Sequence, residues 1–255
     1  MNLIALPAFA DNYIWMLHDG VRAVVVDPGD AAPVQEALSR LHLQLAAILV
    51  THHHADHVGG VNALRPFLRG AVFGPRKEKI PTPFEPLDEG DRVQVLGLDF
   101  DVLDVPGHTA GHIAYVQRGA AEQPILFCGD TLFSAGCGRL FEGTPAQMFQ
   151  SLSKFAALPA DTRVCCTHEY TLSNLRFAAA VEPSNAARAQ YQVRCEALRA
   201  DGLPTLPSSM GVELAVNPFL RCAAPEVMVT AMARGSLSAE PVAVLATLRE
   251  WKNQF

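Results

Sequence analysis

The stretch THHHADH, Thr51–His57, places four of the chain's nine histidines and one aspartate side by side. It follows directly on the apolar run Leu45–Val50. A short apolar run of this kind is typical of a buried β-strand. We therefore expect these imidazoles and the carboxylate to lie at the end of a strand, where a rigid element can direct several side chains to one point.

The spacing inside this cluster predicts how its side chains divide. In an extended segment His52 and His54 point to the same side, so both can bind one metal ion. A turn of the chain would then direct Asp56 and His57 to a neighbouring ion. His53 points away from its neighbours, and we predict that it is not a ligand. So dense a group of nitrogen and oxygen donors favours metal binding over a structural role.

Other histidines and aspartates also follow predicted strands. These strands are expected over residues 22–26, 45–50, 100–105, 113–116, 124–128 and 163–166. His108, Asp130 and His168 come just after three of them. With the first cluster they provide five imidazoles and two carboxylates, a donor set that suits a dinuclear Zn, Mn or Fe centre. For Asp27 and His112 we predict a turn or supporting role rather than ligation.

The predicted strands alternate with helical segments, and the character of the chain changes after His168. Helices are expected over residues 33–42, 60–69, 145–157, 171–182, 185–200, 225–234 and 240–252. Ser184 is predicted to cap the helix that starts at residue 185, and Gly202 to stop it. The pattern indicates an α/β or α+β protein with a domain boundary near residue 170.

Charge and cysteine usage restrict the class of partner and compartment. The net charge is −6, which argues against a nucleic-acid partner. Residues 1–170 hold 12 basic and 19 acidic side chains, whereas residues 171–255 hold 8 and 7, so the last third suits an anionic ligand better. Six cysteines without a CxxC spacing indicate reduced thiols in a cytoplasmic protein. No apolar run long enough for a membrane span and no signal peptide are evident.

Four motifs, HxHxDH, PGHTxGH, CGDTLF and THEY, occur in the order and spacing of the metallo-β-lactamase superfamily. The closer resemblance is to glyoxalase II, the hydroxyacylglutathione hydrolases, and it covers nearly the whole chain. It includes the opening PAFADNYIWML, the loop Asp130–Gly143, the motif NPFLR at Asn217–Arg221 and the terminal LREWKNQF, similar to that family's RxxKDxF. HxHxDH alone indicates the superfamily, and the helical tail narrows the choice to the family.

The resemblance implies an α+β fold, a four-layer αββα sandwich over residues 1–170 followed by a smaller helical substrate-binding domain over residues 171–255. It also implies two divalent ions per chain, with zinc as the first expectation and iron or manganese as alternatives. One ion would be bound by His52, His54 and His108, and the other by Asp56, His57 and His168, with Asp130 bridging both.

The implied reaction is hydrolysis of an S-2-hydroxyacylglutathione, such as S-D-lactoylglutathione, to a 2-hydroxy acid and glutathione. In cells this reaction belongs to methylglyoxal detoxification. A hydroxide bridging the two metal ions would attack the thioester carbonyl. Asp56 and Asp130 would be the catalytic carboxylates, and the thiolate would leave without a strong general acid. The chain is expected to act as a cytoplasmic monomer without nucleic-acid or membrane partners.

The family's glutathione contacts carry over to five positions. These are Arg139, Phe141, Tyr170, Arg249 and Lys252. Phe141 stands where some members have tyrosine, and Asn253 replaces the usual aspartate near the end of the chain. Without the resemblance, Tyr170 would be interpreted as a packing residue, and Arg249 and Lys252 as a solvated helix face.

Three alternatives stay open at this point. A glutathione persulfide dioxygenase of the same fold needs one iron, so the complete second ligand set of Asp56, His57 and His168 disfavours it. An RNA-processing nuclease is disfavoured by the acidic balance. A non-enzymatic metal-binding protein would be favoured by a broken ligand set, whereas all seven positions are filled.

Overall fold

In the computed structural model, residues 1–118 and 123–255 are described. They form two compact units that alternate along the chain. The first unit comprises Met1–Asp104, Ala110–Gly129 and Cys165–His168, and the second comprises Val105–Thr109, Asp130–Val164 and Glu169–Phe255. The division into domains of residues 1–170 and 171–255 stays a prediction, because these units follow spatial contacts rather than chain order.

A six-stranded mixed sheet, in which the strands follow one another in chain order, carries the histidine cluster of the first unit. Its strands are β1 (Asn2–Ala8), β2 (Asn12–His18), β3 (Arg22–Val26), β4 (Gln44–Leu49), β5 (Val72–Pro75) and β6 (Glu85–Leu87). The pairs from β3 to β6 are parallel. Because parallel strands end at the same sheet edge, the segments after β3 and β4, which contain Asp27 and Thr51–His57, lie at one edge.

Short helices connect the parallel strands of this sheet. They are α1 (Ala32–Leu41), α2 (Ala55–Val58) and α3 (Val61–Leu64), followed by a 3₁₀ turn at Arg65–Phe67. The helix predicted over residues 60–69 is therefore wrong. The sequence could not show that a first helical turn already begins at Ala55, directly behind the histidines. Pro66, which has no backbone N–H, lies in the 3₁₀ turn that follows.

The part of the second sheet that reaches the first unit has the strand order β13-β10-β9-β8-β7. Its strands are β7 (Arg92–Val95), β8 (Leu98–Asp104), β9 (Ile113–Gln117), β10 (Ile125–Gly129) and β13 (Arg163–Cys166), of which β13 begins in the second unit. Both β9 and β10 are buried along their whole length, which explains their continuous apolar character. The predicted strands therefore form, with ends shifted by one or two residues.

The core of the first unit is a continuous apolar cluster around its first sheet. Ile48 and Val50 pack there with Val25 of β3 and Val34 of α1, all fully buried. Burial of such side chains stabilises the fold by about 1.5–3 kcal/mol each. Two hydrogen bonds between residues far apart in the sequence also stabilise this unit. The Trp15 indole N–H donates to the Cys166 carbonyl (3.0 Å), and the Tyr115 hydroxyl donates to the Val50 carbonyl (2.9 Å).

The second unit is mainly helical. Its elements are α4 (Pro145–Ala156), α5 (Thr171–Val181), α6 (Ala186–Ala200), α7 (Met210–Val216), α8 (Pro225–Ala233) and α9 (Pro241–Gln254), the hairpin β11 (Leu132–Phe133) and β12 (Gly136–Cys137), and β14 (Ser208–Ser209). The cap of α6 is Asn185, whose side chain accepts from Arg188 N–H, and not Ser184 as predicted. Ser184 instead donates to Glu226. Gly202, with φ +71°, follows the end of α6 as predicted.

Helix α7 lies at the end of a proline- and serine-rich stretch for which the sequence predicted no helix. Ser209 caps it by accepting from Val212 N–H at 3.3 Å. At seven residues it is too short to be stable without tertiary contacts. The fully buried side chains of Met210 and Glu213 provide such contacts. No helix among the described residues is long and apolar enough to cross a membrane.

Candidate functional site

The segment after β4 brings two predicted ligands of the first unit together. The Asp27 carboxylate accepts from both the backbone N–H and the hydroxyl of Thr51, each at 2.7 Å, and so fixes the point where the strand ends. The chain stays extended at His54, which is the residue before α2. His52 Nε2 then lies 3.1 Å from His54 Nδ1. Both imidazoles therefore offer a nitrogen at the same place, as the spacing predicts.

A second group of donors in the first unit contains Asp56, His57 and His168. Their ligand atoms all lie within 4.8 Å of one another. Asp56 and His57 belong to the single turn of α2, whereas His168 follows β13. His57 is fully buried and His168 is nearly so. One carboxylate and two imidazoles at this separation match the donor set of a divalent metal ion.

Polar side chains from distant parts of the chain orient this second group. The Asp11 carboxylate lies 2.8 Å from His168 Nδ1, and the Asp27 carboxylate lies 3.1 Å from His57 Nδ1. The Asn12 amide donates to Asp56 Oδ2 at 3.0 Å. A carboxylate beside Nδ1 of a histidine favours the tautomer with its proton on that nitrogen, which leaves Nε2 available to a metal ion.

Asp11 and Asn12 were missed by sequence reasoning. Their only signal was the polar pair in the turn between two apolar strands. For Asp27 the prediction was a turn or supporting role, and its carboxylate is hydrogen-bonded in that way. The backbone of Asp27 adopts the left-handed conformation, with φ +52°.

Two further histidines of the first unit have other contacts. His53 Nδ1 lies 2.8 Å from Glu78 Oε2, and the same oxygen accepts the His53 backbone N–H at 2.6 Å. The other oxygen of Glu78 accepts Gly111 N–H at 3.0 Å. The ring of His112 stacks on that of His52, with centroids 4.6 Å apart. These contacts account for His53 and His112 without assigning either as a ligand.

His108 and Asp130 form the donor group of the second unit. The Arg139 carbonyl lies 2.9 Å from His108 Nδ1. His108 Nε2 lies 3.5 Å from Asp130 Oδ2. Gly138 permits this close packing, because a Cβ there would lie 2.0 Å from the Asp130 carbonyl oxygen. The side chains of both His108 and Asp130 are at least nine-tenths buried.

The chemistry of these donors fits divalent transition metals. The first unit offers several imidazole nitrogens and a carboxylate, and the second offers His108 and Asp130. His108 and His168 each have Nδ1 beside a protein oxygen. Nitrogen and carboxylate donors suit Zn, Fe and Mn. None of the metal-ligand groups found among the described residues contains a cysteine, in agreement with the burial of the Cys128 side chain in β10.

Two predicted substrate contacts with aromatic side chains lie in the second unit. Phe141 is 62% exposed, and its ring meets that of His108 edge-on at 5.3 Å. Tyr170 is partly exposed, with its ring 5.2 Å from that of Phe133. Both rings are therefore accessible to a ligand, and their contact with the substrate stays a prediction. Arg139 precedes Phe141 and is bound to His108 through its carbonyl.

The predicted cationic pair near the chain terminus lies on α9. Arg249 is buried rather than solvated, and its guanidinium donates to the Cys137 carbonyl at 2.7 Å. Lys252, one turn later, places its Nζ 5.1 Å from the centre of the Phe177 ring. Burial, followed by the charge of Arg249, lowers the pKa of Lys252 to about 8. Cations held together in this way favour an anionic ligand.

Comparisons with known proteins agree with this arrangement of motifs. The family model described as Metallo-beta-lactamase superfamily matches residues 9–168, and that described as Hydroxyacylglutathione hydrolase C-terminus matches residues 169–255. A hydroxyacylglutathione hydrolase from Albidiferax ferrireducens is 59% identical over 255 residues, covering 100% of both chains.

Solved structures share the fold. ETHE1 from Myxococcus xanthus aligns with a TM-score of 0.66 at 25% identity, covering 99% of this chain and 98% of that one. TTHA1623, solved in a di-iron-bound form, aligns with a TM-score of 0.61 at 27% identity, covering 86% of this chain and 100% of that one. Together with the family models, these likenesses confirm the predicted α+β metallo-β-lactamase fold followed by a helical C-terminal region.

Proposed function

This chain belongs to the hydroxyacylglutathione hydrolases of the metallo-β-lactamase superfamily, and from that membership we propose that it hydrolyses S-2-hydroxyacylglutathiones. The products are a 2-hydroxy acid, such as D-lactate, and glutathione. The observation that carries the proposal is full-length identity of 59% to a hydrolase of that name, in a chain that keeps every residue of the ligand motifs.

We propose that the donor groups of the two units hold two divalent ions. His52, His54 and His108 would bind one ion, Asp56, His57 and His168 would bind the other, and Asp130 would bridge them. The close approach of His52 to His54, and the compact set around Asp56, support this assignment within the first unit. The close approach of His108 Nε2 to Asp130 Oδ2 supports it within the second.

The ions would supply Lewis acidity, polarising the thioester carbonyl and lowering the pKa of a water molecule towards 7. The protein's contribution is orientation. Asn12 holds the Asp56 carboxylate in place, and Asp11 and Asp27 hold the imidazoles of His168 and His57. A thiolate leaves readily near neutral pH, so no separate general acid needs to be assigned.

The choice of metal is part of the proposal. A set of imidazoles and carboxylates accepts zinc, iron or manganese, and we favour zinc as the ion that needs no redox change for hydrolysis. Iron is the specific alternative, since TTHA1623, of the same fold, was solved with two irons.

Substrate binding is assigned to the second unit. We propose that Arg249 and Lys252 bind the glycine carboxylate of glutathione, and that Arg139, Phe141 and Tyr170 contact the rest of the tripeptide. Support comes from the exposed aromatic rings and from the buried guanidinium of Arg249. Lys252 has its pKa lowered to about 8 by burial, so a carboxylate ligand would favour its protonated form.

The acidic balance of the chain favours a protein without a nucleic-acid partner. We propose in addition that it acts as a monomer in the cytoplasm without a membrane partner. A glutathione persulfide dioxygenase is not favoured, because the relative matched over its full length bears the name of the hydrolase.

The test is a comparison of two substrates on the purified protein. We expect rapid loss of thioester absorbance with S-D-lactoylglutathione and no oxygen consumption with glutathione persulfide. Oxygen consumption with the persulfide, together with a stable thioester, would overturn the proposal. S-D-lactoyl-N-acetylcysteamine has the same thioester but lacks the γ-glutamyl and glycine residues of glutathione, so it should react with a higher KM.

A further inference from the structure

Glu213 is a fully buried carboxyl group that has no cation as its partner in the described hydrogen bonds. It lies on α7, and its side chain has 0% exposure. Four groups donate to it. These are the hydroxyls of Ser134 (2.9 Å) and Ser208 (2.5 Å), the Ala135 backbone N–H (2.8 Å) and the Asn217 amide (3.1 Å). Burying a carboxyl group is costly, so four donors at one such group indicate a specific role.

The residue that Glu213 holds is in a strained conformation. Ala135 lies between β11 and β12 with φ +56°, a left-handed conformation that alanine rarely adopts. Its N–H is bound by Glu213 Oε2. Asn217 donates to the carbonyls of Phe133 and Gly136, on either side of the turn. Asn174 donates to the Ser134 carbonyl at 2.9 Å. Buried side chains therefore form hydrogen bonds with the backbone of every residue of this turn, from Phe133 to Gly136.

Along the chain, the turn at Ser134 and Ala135 lies between two parts of the proposed site. Asp130 lies two residues before the first residue of β11, and Arg139 follows β12 after one glycine. The Cys137 carbonyl at the end of β12 accepts the Arg249 guanidinium. A change in the turn would therefore displace a proposed bridging carboxylate on one side and proposed substrate contacts on the other.

From this arrangement we propose that Glu213 is a positioning residue for hydrolysis. By holding Ala135 in its left-handed conformation, it fixes the turn that sets Asp130 and Arg139 in place. This inference rests on the proposed function, since it assigns Glu213 to the same site. The motif NPFLR (Asn217–Arg221) also helps to fix the turn, because the Asn217 amide donates to the Gly136 carbonyl and to Glu213.

The two oxygens of Glu213 have different partners, and this gives a sharp test. Oε1 meets only hydroxyls, which can donate or accept, whereas Oε2 meets N–H groups, which can only donate. Burial also raises the pKa of the Glu213 carboxyl above its ordinary value, against the opposing effect of its hydrogen bonds. A glutamine amide reproduces the donor and acceptor pattern of a protonated carboxyl group, whereas leucine has nothing that accepts the Ala135 N–H.

The experiment compares kcat/KM for S-D-lactoylglutathione at a temperature where every variant is folded by circular dichroism. We expect Glu213→Gln to keep near-normal kcat/KM and Glu213→Leu to lose about 10- to 100-fold. Adding Ala135→Gly to Glu213→Leu should recover most of the loss, because glycine adopts the left-handed conformation without support. Exchange of the Ala135 amide hydrogen should accelerate in Glu213→Leu and return towards normal in Glu213→Gln.

Two controls separate positioning from stability. His42, at the end of α1, is also left-handed, with φ +53°, so His42→Gly relieves strain without touching the turn. In the Glu213→Leu background it should leave kcat/KM unimproved. Ser208→Ala removes a donor to Glu213 from β14 rather than from the turn, and should lower stability while leaving kcat/KM near normal.

The inference would be overturned if Glu213→Gln and Glu213→Leu lost equal amounts of kcat/KM. It would also be overturned if Ala135→Gly and His42→Gly, each added to Glu213→Leu, restored kcat/KM equally. If Glu213→Leu is not recovered folded, Glu213→Asp serves instead. Its shorter carboxylate cannot reach Ala135, and the same loss and recovery are expected. Failure of the proposed function would look different, because then the unsubstituted protein itself would not cleave the thioester.

Discussion

At the scale of single residues, three residues are proposed to bind the second ion: Asp56, His57 and His168. Each of them has a polar neighbour that is far away in the sequence. His168 has Asp11 at 2.8 Å, and Asp56 has Asn12 at 3.0 Å. His57 has Asp27 at 3.1 Å. Such neighbours select the tautomer and hold the ring or carboxylate in place, and their loss typically costs about 10–100-fold in metal affinity or activity.

Asp11→Ala should therefore weaken the site without unfolding the protein. We expect kcat/KM to fall about 10–100-fold, because His168 Nδ1 loses its acceptor and the ring is no longer held. The measurement is hydrolysis of S-D-lactoylglutathione with bound metal determined on the same samples. Asp19→Ala is the matched control, since within residues 1–118 and 123–255 the hydrogen bonds to the Asp19 side chain come from its near neighbours Val21 and Arg22. Equal activity of the two variants would contradict the assignment.

Asp130→Ala tests the proposed bridge. We expect kcat to fall by at least about 100-fold, because a ligand should matter more than its supporting neighbours. The thermal unfolding midpoint should change far less, since the Asp130 side chain contributes no apolar packing. If kcat and the metal content both stayed near normal, Asp130 would not be a bridging ligand.

Lys252 gives a prediction about pH. Its pKa is lowered to about 8 by burial and by Arg249, so the free protein holds the cation below pH 8 and loses it above. KM for the glutathione thioester should therefore be flat at lower pH and rise as the pH passes 8, with kcat less affected. Lys252→Gln should raise KM at low pH and remove this rise. A rise that persists in the variant would remove Lys252 from the substrate site.

At the scale of elements, a pair between the end of α5 and the NPFLR motif holds the second unit. Arg221 donates to Glu182 at 2.8 and 2.6 Å, in a bidentate arrangement. The Glu182 side chain is only 8% exposed, whereas that of Arg221 is 27% exposed. The pKa of Glu182 is lowered overall even though burial, the largest influence, opposes this, because Arg221 and Asn185 donate to its ionised form.

Arg221→Ala should lower the free energy of unfolding by about 3 kcal/mol, because it leaves the Glu182 carboxylate buried without its cation. Urea unfolding monitored by circular dichroism measures this change. Arg22→Ala is the matched control, because the pair with Asp19 is solvent-exposed. It should cost less than about 1 kcal/mol. Similar losses in both variants would show that burial of Glu182 does not strengthen its pair.

The sequence predicted those elements that follow from local patterns. β3, α4 and α5 form within one residue of their predicted bounds, because periodicity and capping are properties of neighbouring residues. Helix α7 was missed, since its stability comes from tertiary burial of Met210 and Glu213. The helix predicted over residues 60–69 failed for a related reason, as α2 forms directly behind the histidine cluster.

At the scale of the whole molecule, the motifs predicted the family and the fold, which the comparisons confirm. The candidate donor residues could be named from the sequence because dense histidine spacing after apolar runs is a local signal, and their role as ligands stays a prediction. Asp11, Asn12 and Glu213 could not, because each reaches its partner only through the fold. Their neighbours along the chain carry no sign of the contact.

The central claim is that two ions per chain are needed to hydrolyse the thioester. The most direct measurement is to strip the metal, add zinc in steps, and determine bound zinc and kcat for S-D-lactoylglutathione at each step. We predict saturation at two zinc ions per chain, with full activity reached only when the second has bound. Full activity with one ion per chain, or hydrolysis that survives complete removal of metal, would contradict the account.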